Sequence, residues 1–364
     1  MSRPHTTPSQ AALHTDASAR AGAHADAHVD ADADARAKLH TFAHADANPG
    51  GRPDTLHPAG HGHGSPEQGA SAPAPVAVPA SGLVLHPQAQ QALRADLVQR
   101  LQRKVHGLCF SAYLDGQGPG TVLQEEPIRQ RLQHIAPHTR WVRSFSCTEG
   151  NEHIPKLAHS MGLKTLVGAW LGTDLEINAR ELAGVIAVAQ AGHADMVAVG
   201  NEVLLREDLS EDALIACIEQ VKAALPGIPV GYVDAYYLFE LHPRVSAVCD
   251  VLLTNCYPFW EGYTLDQALP AMQSMVRRTQ AVAAGKPVIV SETGWPDRGS
   301  PFGAAEPSQD AALRYFNDTF DWAEREGIEV FYFSAFDEAW KVGAEGDVGA
   351  FWGLWDKDGQ AKFL

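Results

Sequence analysis

Positive charge is scarce in this chain: 28 Lys and Arg stand against 44 Asp and Glu in 364 residues, a formal charge of -16 at pH 7. That balance argues against nucleic-acid backbones and anionic membrane surfaces as partners, and its plain consequence is solubility. Cysteine is scarce as well. The five present, Cys109, Cys147, Cys217, Cys249 and Cys256, are odd in number and show no CxxC spacing. They therefore suggest neither a disulfide framework nor a zinc site and read as buried thiols; a Cys249–Cys256 bridge would have to span strand-like residues. Long apolar runs are missing too. None approaches the roughly 18 residues of a membrane-spanning helix, so no transmembrane segment is expected. The opening MSRPHTTPSQAALHTDASAR has no apolar core of the kind a secretory signal peptide carries.

Large apolar residues are almost absent from residues 1–82, where Ala, His, Asp, Pro and Gly dominate and the phrase HADA recurs. Such a segment cannot bury enough surface to offset the entropy of ordering, so it is read as a disordered low-complexity tail. It holds nine of the 17 histidines. Adventitious Zn²⁺ or Ni²⁺ binding there is conceivable, but a solvated tail is the reading that composition favours.

What is present from Leu83 onward is a regular alternation. Eight apolar runs of strand length begin at Gly107, Trp141, Thr165, Met196, Pro229, Val251, Pro287 and Val330, with helical patterns between them. Ile128, Leu132 and Ile135 fall on one helical face; Ser210 is placed to cap a helix that stops at Pro226-Gly227. A third helix, following Thr264, should be perturbed in its first turns by Pro270. Eight strand–helix units in roughly 260 residues have the size and rhythm of a (β/α)₈ TIM barrel, an α/β fold occupying residues 83–364. The runner-up, an open doubly wound sheet, is weakened because neither GxGxxG nor GxxxxGK[ST] follows any strand.

In a barrel the C-terminal strand ends carry the active site. Here they collect Tyr113 and Asp115, Arg143, Trp170, Asn201 and Glu202, Asp234 and Tyr236, Asn255 and Tyr257, Glu292 and Trp295, then Asp337, Glu338 and Trp340. Carboxylates on the fourth and seventh strands could divide the acid and nucleophile roles in glycosidic cleavage. The aromatics between them suit sugar rings, whose C–H faces are apolar and whose hydroxyl edges are polar. The eight histidines from His86 onward are scattered, so no metal and no cofactor is expected.

VGNE (Val199–Glu202) and VSETGWP (Val290–Pro296) resemble the two active-site motifs of glycoside hydrolase family 17, the β-1,3-glucanases and β-1,3-glucan transferases. FSAYLDGQGPG, LVGAWLGTD, NCYPFWEG, FSAFDEAWK and FWGLWDKDG extend the likeness over residues 105–362, resembling the bacterial branch of the family. The resemblance implies Glu202 as acid/base, Glu292 as nucleophile and Asn201 as a hydrogen-bond partner of the sugar 2-hydroxyl. Tyr257 and Arg143 are placed to favour an ionised Glu292, and Val203, Leu204 and Leu205 to keep Glu202 protonated. Tyr113, Arg143, Trp170, Tyr257, Trp260, Trp295, Glu338 and Trp340 are the candidate substrate-binding residues. Trp352 and Trp355 are assigned to packing and Asp337 to holding a loop.

The implied partner is a β-glucan polysaccharide or oligosaccharide, acted on by a monomer through a covalent glycosyl-enzyme intermediate. Whether water or a second sugar resolves that intermediate is left open. The competing class is a non-catalytic β-glucan-binding protein with the groove retained. Such a substrate implies a periplasmic, cell-surface or secreted location, whereas the lack of a recognisable signal peptide leaves the cytoplasm open.

Overall fold

The computed structural model describes residues 83, 85–342 and 345–363; the expected disordered tail lies outside the described residues. Eight parallel strands close a barrel in chain order. They are β1 Val105–Cys109, β2 Thr139–Ser144, β3 Lys164–Ala169, β4 Met196–Asn201, β5 Val230–Ala235, β6 Val251–Asn255, β7 Val288–Thr293 and β8 Val330–Tyr332. Closure comes from β1 and β8, paired at Gly107↔Phe331 and Leu108↔Tyr332. Each apolar run read from the sequence forms a strand. The runs extend past the strand ends because the residues that follow turn out of the sheet into the barrel mouth.

Helices cover the outside for local reasons. In Glu125–Ile135, Ile128, Leu132 and Ile135 are buried on one face. Glu211–Ala224 starts where the Ser210 hydroxyl accepts from the Ala213 N–H at 3.2 Å. Leu265–Val282 runs unbroken through Pro270. Its first turn is fixed by a capping box between Thr264 and Gln267, so the proline removes only the bond that would have reached the Asp266 carbonyl. Gln309–Glu326 is capped by Ser308 and stops at Gly327, in the left-handed region at φ 67°.

A helix outside the eight-unit pattern, Pro87–Gln102, precedes β1 and packs on Gln309–Glu326. Asp310 accepts from the Leu85 N–H at 2.9 Å and from Gln90 Nε2 at 2.6 Å. All five cysteines are unpaired thiols, four of them buried. Cys249 and Cys256 flank β6, which at the usual strand rise separates them by about 20 Å. No helix among the described residues is long and apolar enough to cross a membrane.

The chain beyond β8 folds back along itself. Residues 351–355 pair with 334–337 through Ser334 N–H to Trp352 O at 3.0 Å, Trp355 N–H to Ala335 O at 2.9 Å and Asp337 N–H to Trp355 O at 2.9 Å. Lys362 pins the return, 2.8 Å from Asp337 and 3.2 Å from Asp297. Gly294 lies inside this construction: a Cβ there would stand 2.0 Å from the Phe333 carbonyl oxygen.

Gly294→Ala should therefore cost about 1–3 kcal/mol through overpacking, lowering Tm by roughly 2–4 °C per kcal/mol for a chain of this size. An unchanged calorimetric melt would mean that the backbone yields freely. A second expectation concerns Asp234, fully buried on β5, whose carboxyl is raised by burial from 3.8 to about 7. The folded chain holds that proton more tightly than the unfolded one, so its contribution is complete below pH 3.8 and lost as pH rises through about 7. Asp234→Asn should flatten the fall in stability over that window; urea midpoints of both proteins measured from pH 4 to 8 decide it.

Candidate active site

Arg143 stands at the centre of the barrel mouth. Its side chain points inward from β2 and is 2% exposed. Nη1 donates to Glu292 Oε1 on β7 at 2.6 Å, and Nη2 to Asn201 Oδ1 on β4 at 2.6 Å. Because a guanidinium only donates, the Asn201 amide is oriented with its oxygen towards Arg143 and its Nδ2 donors away from it. Cys109 also lies near Arg143, but burial pushes that thiol up to about 12, so it stays neutral and the counter-charge is Glu292.

The second oxygen of Glu292 accepts from the Tyr257 hydroxyl at 2.8 Å. Burial and the Glu292 charge hold Tyr257 well above its ordinary value of 10, which keeps it protonated and donating. Glu292 thus meets one cation and one hydroxyl donor.

Glu202 has a different setting. It follows directly on β4 and accepts from Asn255 Nδ2 at 2.8 Å, while the Asn255 amide oxygen accepts from the Ser291 hydroxyl at 2.8 Å. Val203, Leu204 and Leu205 beside it are all buried. Hydrogen bonds therefore link each acid to the residue preceding the other: Glu292 through Arg143 to Asn201, and Glu202 through Asn255 to Ser291. The Asn255 amide that meets Glu202 is neutral; the Arg143 guanidinium that meets Glu292 is charged.

Around this pair the rim is aromatic. Tyr113 and Trp340 meet edge to face at 5.9 Å, each half-buried, and Trp340 Nε1 donates to Glu338 at 3.2 Å. Glu338 is 7% exposed and lies 3.5 Å from Lys341, so it organises the rim from beneath. Trp170, half-buried after β3, carries the Arg206 guanidinium 4.6 Å from its ring centroid.

Two expected sugar platforms are placed elsewhere. Trp295 is 1% exposed, its Nε1 donating to the Glu306 carbonyl at 3.0 Å and its ring packed against Phe259 and Tyr315. It has no open face for a sugar and instead secures the turn after β7, because the proline and glycine flanking it direct the chain behind the strand. Trp260 is 7% exposed and sits among Phe259, Phe302 and Trp352. It builds the wall from behind. Trp352 and Trp355 are buried at 3% each, and Asp337 accepts from the Gly353 N–H at 2.9 Å, holding the loop.

Ser291, Arg206 and Glu181 were not singled out by the sequence. Glu181 is a buried helix residue that accepts from Ser146 at 2.5 Å, Thr148 at 2.6 Å, the Cys147 N–H at 2.8 Å and the Trp170 N–H at 3.2 Å. It thereby fastens the loop after β2 to the end of β3. A charged residue on a helix face that otherwise buries Asn178, Leu182, Val185, Val188 and Ala189 was the only signal available for it. Among the described residues no group of three or more His, Cys, Asp or Glu could hold a metal ion.

Comparison with known proteins agrees with the fold. The family model described as the BtgE/BtgC glycoside hydrolase domain matches residues 107–353. A glucan 1,3-beta-glucosidase of Schizosaccharomyces pombe is 30% identical over 241 residues, 61% of this chain and 75% of that protein. A glucan 1,3-beta-glucosidase of Candida albicans is 26% identical over 272 residues, 67% of this chain and 87% of that protein. Among solved structures, the glycoside hydrolase family 17 beta-1,3-glucanosyltransferase of Rhizomucor miehei is similar with a TM-score of 0.64 at 28% identity, covering 72% of this chain and 96% of that one. The chain belongs to the BtgE/BtgC glycoside hydrolase domain family and, with it, to glycoside hydrolase family 17.

Proposed function

We propose that this chain is a retaining glycosidase acting on β-1,3-glucan, with Glu292 as nucleophile and Glu202 as acid/base. The observation that carries the division of roles is the contrast between the two carboxyls: Glu292 held by Arg143 and Tyr257, Glu202 by the neutral amide of Asn255. A nucleophile must be ionised before the substrate arrives, and a proton donor must not be.

In the first step a Glu292 oxygen forms a bond to the anomeric carbon as the glycosidic C–O bond breaks. The Glu202 proton passes to the departing sugar oxygen, leaving a glycosyl ester on Glu292 and an ionised Glu202. In the second step Glu202 takes a proton from an incoming hydroxyl, whose oxygen attacks the anomeric carbon from the opposite face as the bond from that carbon to Glu292 breaks and the Glu292 carboxylate is restored. Two inversions give net retention, and the mechanism calls for carboxyls about 5–5.5 Å apart. Asn201 supports both steps: Arg143 takes its amide oxygen, which leaves its N–H groups as the donors to a sugar 2-hydroxyl.

The incoming hydroxyl determines the product. Water gives hydrolysis; a sugar hydroxyl held by acceptor-side aromatics such as Trp340 gives transfer. The relatives include proteins named for each outcome.

Incubating the full chain with defined β-1,3-gluco-oligosaccharides and following products by mass spectrometry tests the reading. Shorter products alone mean hydrolysis, and products longer than the substrate mean transfer. Glu292→Ala should lose on the order of 10⁴-fold or more in kcat and, with azide and an activated β-glycoside, release the α-glycosyl azide. Full activity in that variant would assign the nucleophile elsewhere, and an inert parent chain would leave a glucan-binding barrel.

A further inference from the structure

The end of β4 is bent. Its pairing with β5 shifts register between Ala198 and Asn201, Gly200 sits at φ 86° and Glu202 at φ 51°. Glycine takes such a φ freely, and at Gly200 a Cβ would also stand 2.8 Å from Val203 Cγ2. Glutamate does not. A left-handed, non-glycine residue persists only where its surroundings over-determine it.

The restraints are visible on each side of the residue. The peptide preceding Glu202 is clamped at both ends: its carbonyl, that of Asn201, accepts from Arg206 Nη1, and its N–H donates to Val233 O at 2.8 Å. The Glu202 carbonyl accepts from the Arg206 N–H at 2.9 Å. Two residues on, the Leu204 N–H donates to the Tyr232 hydroxyl at 2.9 Å, and that hydroxyl donates to the Asp234 carboxyl. Arg206 is itself fixed, with Nη2 donating to Leu171 O at 2.8 Å, Nε to Asp208 at 2.7 Å, and its guanidinium against Trp170. Its side chain and that of Tyr232 are each 1% exposed, so neither is available to bind a sugar.

We propose that Arg206 and Tyr232 are positioning residues for the acid/base, holding the left-handed turn that directs the Glu202 carboxyl at the leaving-group oxygen. The proposal rests on the reading of Glu202 as proton donor. Without the clamp the peptide can relax towards ordinary strand geometry, and because side chains alternate along a strand, even a partial rotation carries the carboxyl away from the scissile bond. Arg206 also links this turn to Trp170 and Leu171 after β3. The acid and one wall of the groove then move as a unit.

The test compares two leaving groups in the full chain. A β-1,3-gluco-oligosaccharide expels a sugar alkoxide and needs the proton; 2,4-dinitrophenyl β-laminaribioside expels a phenolate and does not. Tyr232→Phe and Arg206→Lys should each lose about tenfold to a hundredfold in kcat/KM on the oligosaccharide, within the range acid catalysis supplies. Both should stay within about threefold of the parent on the dinitrophenyl substrate, on the same grounds. The ratio of the two constants does not depend on how much of a preparation is folded, so partial unfolding cannot imitate the result. Equal losses on both substrates, or no loss on either, would overturn the proposal. Glu202→Ala is the internal reference and should show the same selectivity more strongly. If Glu202→Ala loses both activities alike, the assignment of the acid has failed and the positioning role with it; selective loss in Glu202→Ala alone rejects only the positioning role.

Discussion

A guanidinium without access to water must be met by acceptors and by opposite charge, and Arg143 at the barrel centre imposes that requirement on its surroundings. Removing one partner of such a buried pair typically costs about 3–5 kcal/mol, because the survivor is left uncompensated. Glu292 supplies the charge and Asn201 the neutral acceptor, which brings β2, β4 and β7 to one point. The same residue that ties the barrel interior together also holds a carboxyl and an amide oxygen in place. Stability and chemistry share one residue here, so loss of Arg143 would be felt in both.

Around that point the mouth is layered. Closest to the acids are short polar contacts from strand ends, with Tyr257, Asn255 and Ser291 each filling one hydrogen-bonding position. Beneath and outside them are apolar and aromatic side chains that exclude water: Phe259, Trp260, Trp295 and Trp352 form a nearly continuous cluster behind β6 and β7. Charge-assisted bonds are strengthened by such surroundings. The C-terminal return contributes to the shell through Trp352 and is held by Lys362 between two buried aspartates, so chain far from β7 in sequence finishes the wall behind Glu292.

The two acids differ in backbone as well as in partners. Glu292 lies within β7, with register shifts beside it towards both β6 and β8, whereas Glu202 follows β4 in a left-handed turn. In the roles proposed for them, the nucleophile benefits from a fixed position on a rigid element, which the strand provides. The proton donor must reach an oxygen outside the plane of the sugar. Bending the strand end is one way to re-aim a side chain without lengthening the loop.

Much of this was legible in the sequence. The strand-length apolar runs and the helical stripes between them mark eight units, and a closed parallel sheet leaves the strand-end polar residues at one face, so Glu202 and Glu292 could be proposed as the acids without coordinates. Local capping chemistry at Ser210 was readable as well, because its partner lies within one helical turn. Pairings between distant residues were not readable. Nothing in the neighbourhood of Arg206 announces that it clamps the peptide before Glu202, and nothing in ETGWP says that its tryptophan turns away from the groove. A side chain's face depends on the φ of its own residue and on what packs against it from elsewhere in the chain. The sequence by itself determined the barrel and the residues that arrive at its mouth; only the tertiary structure decided which of them face the sugar and which hold the others in place.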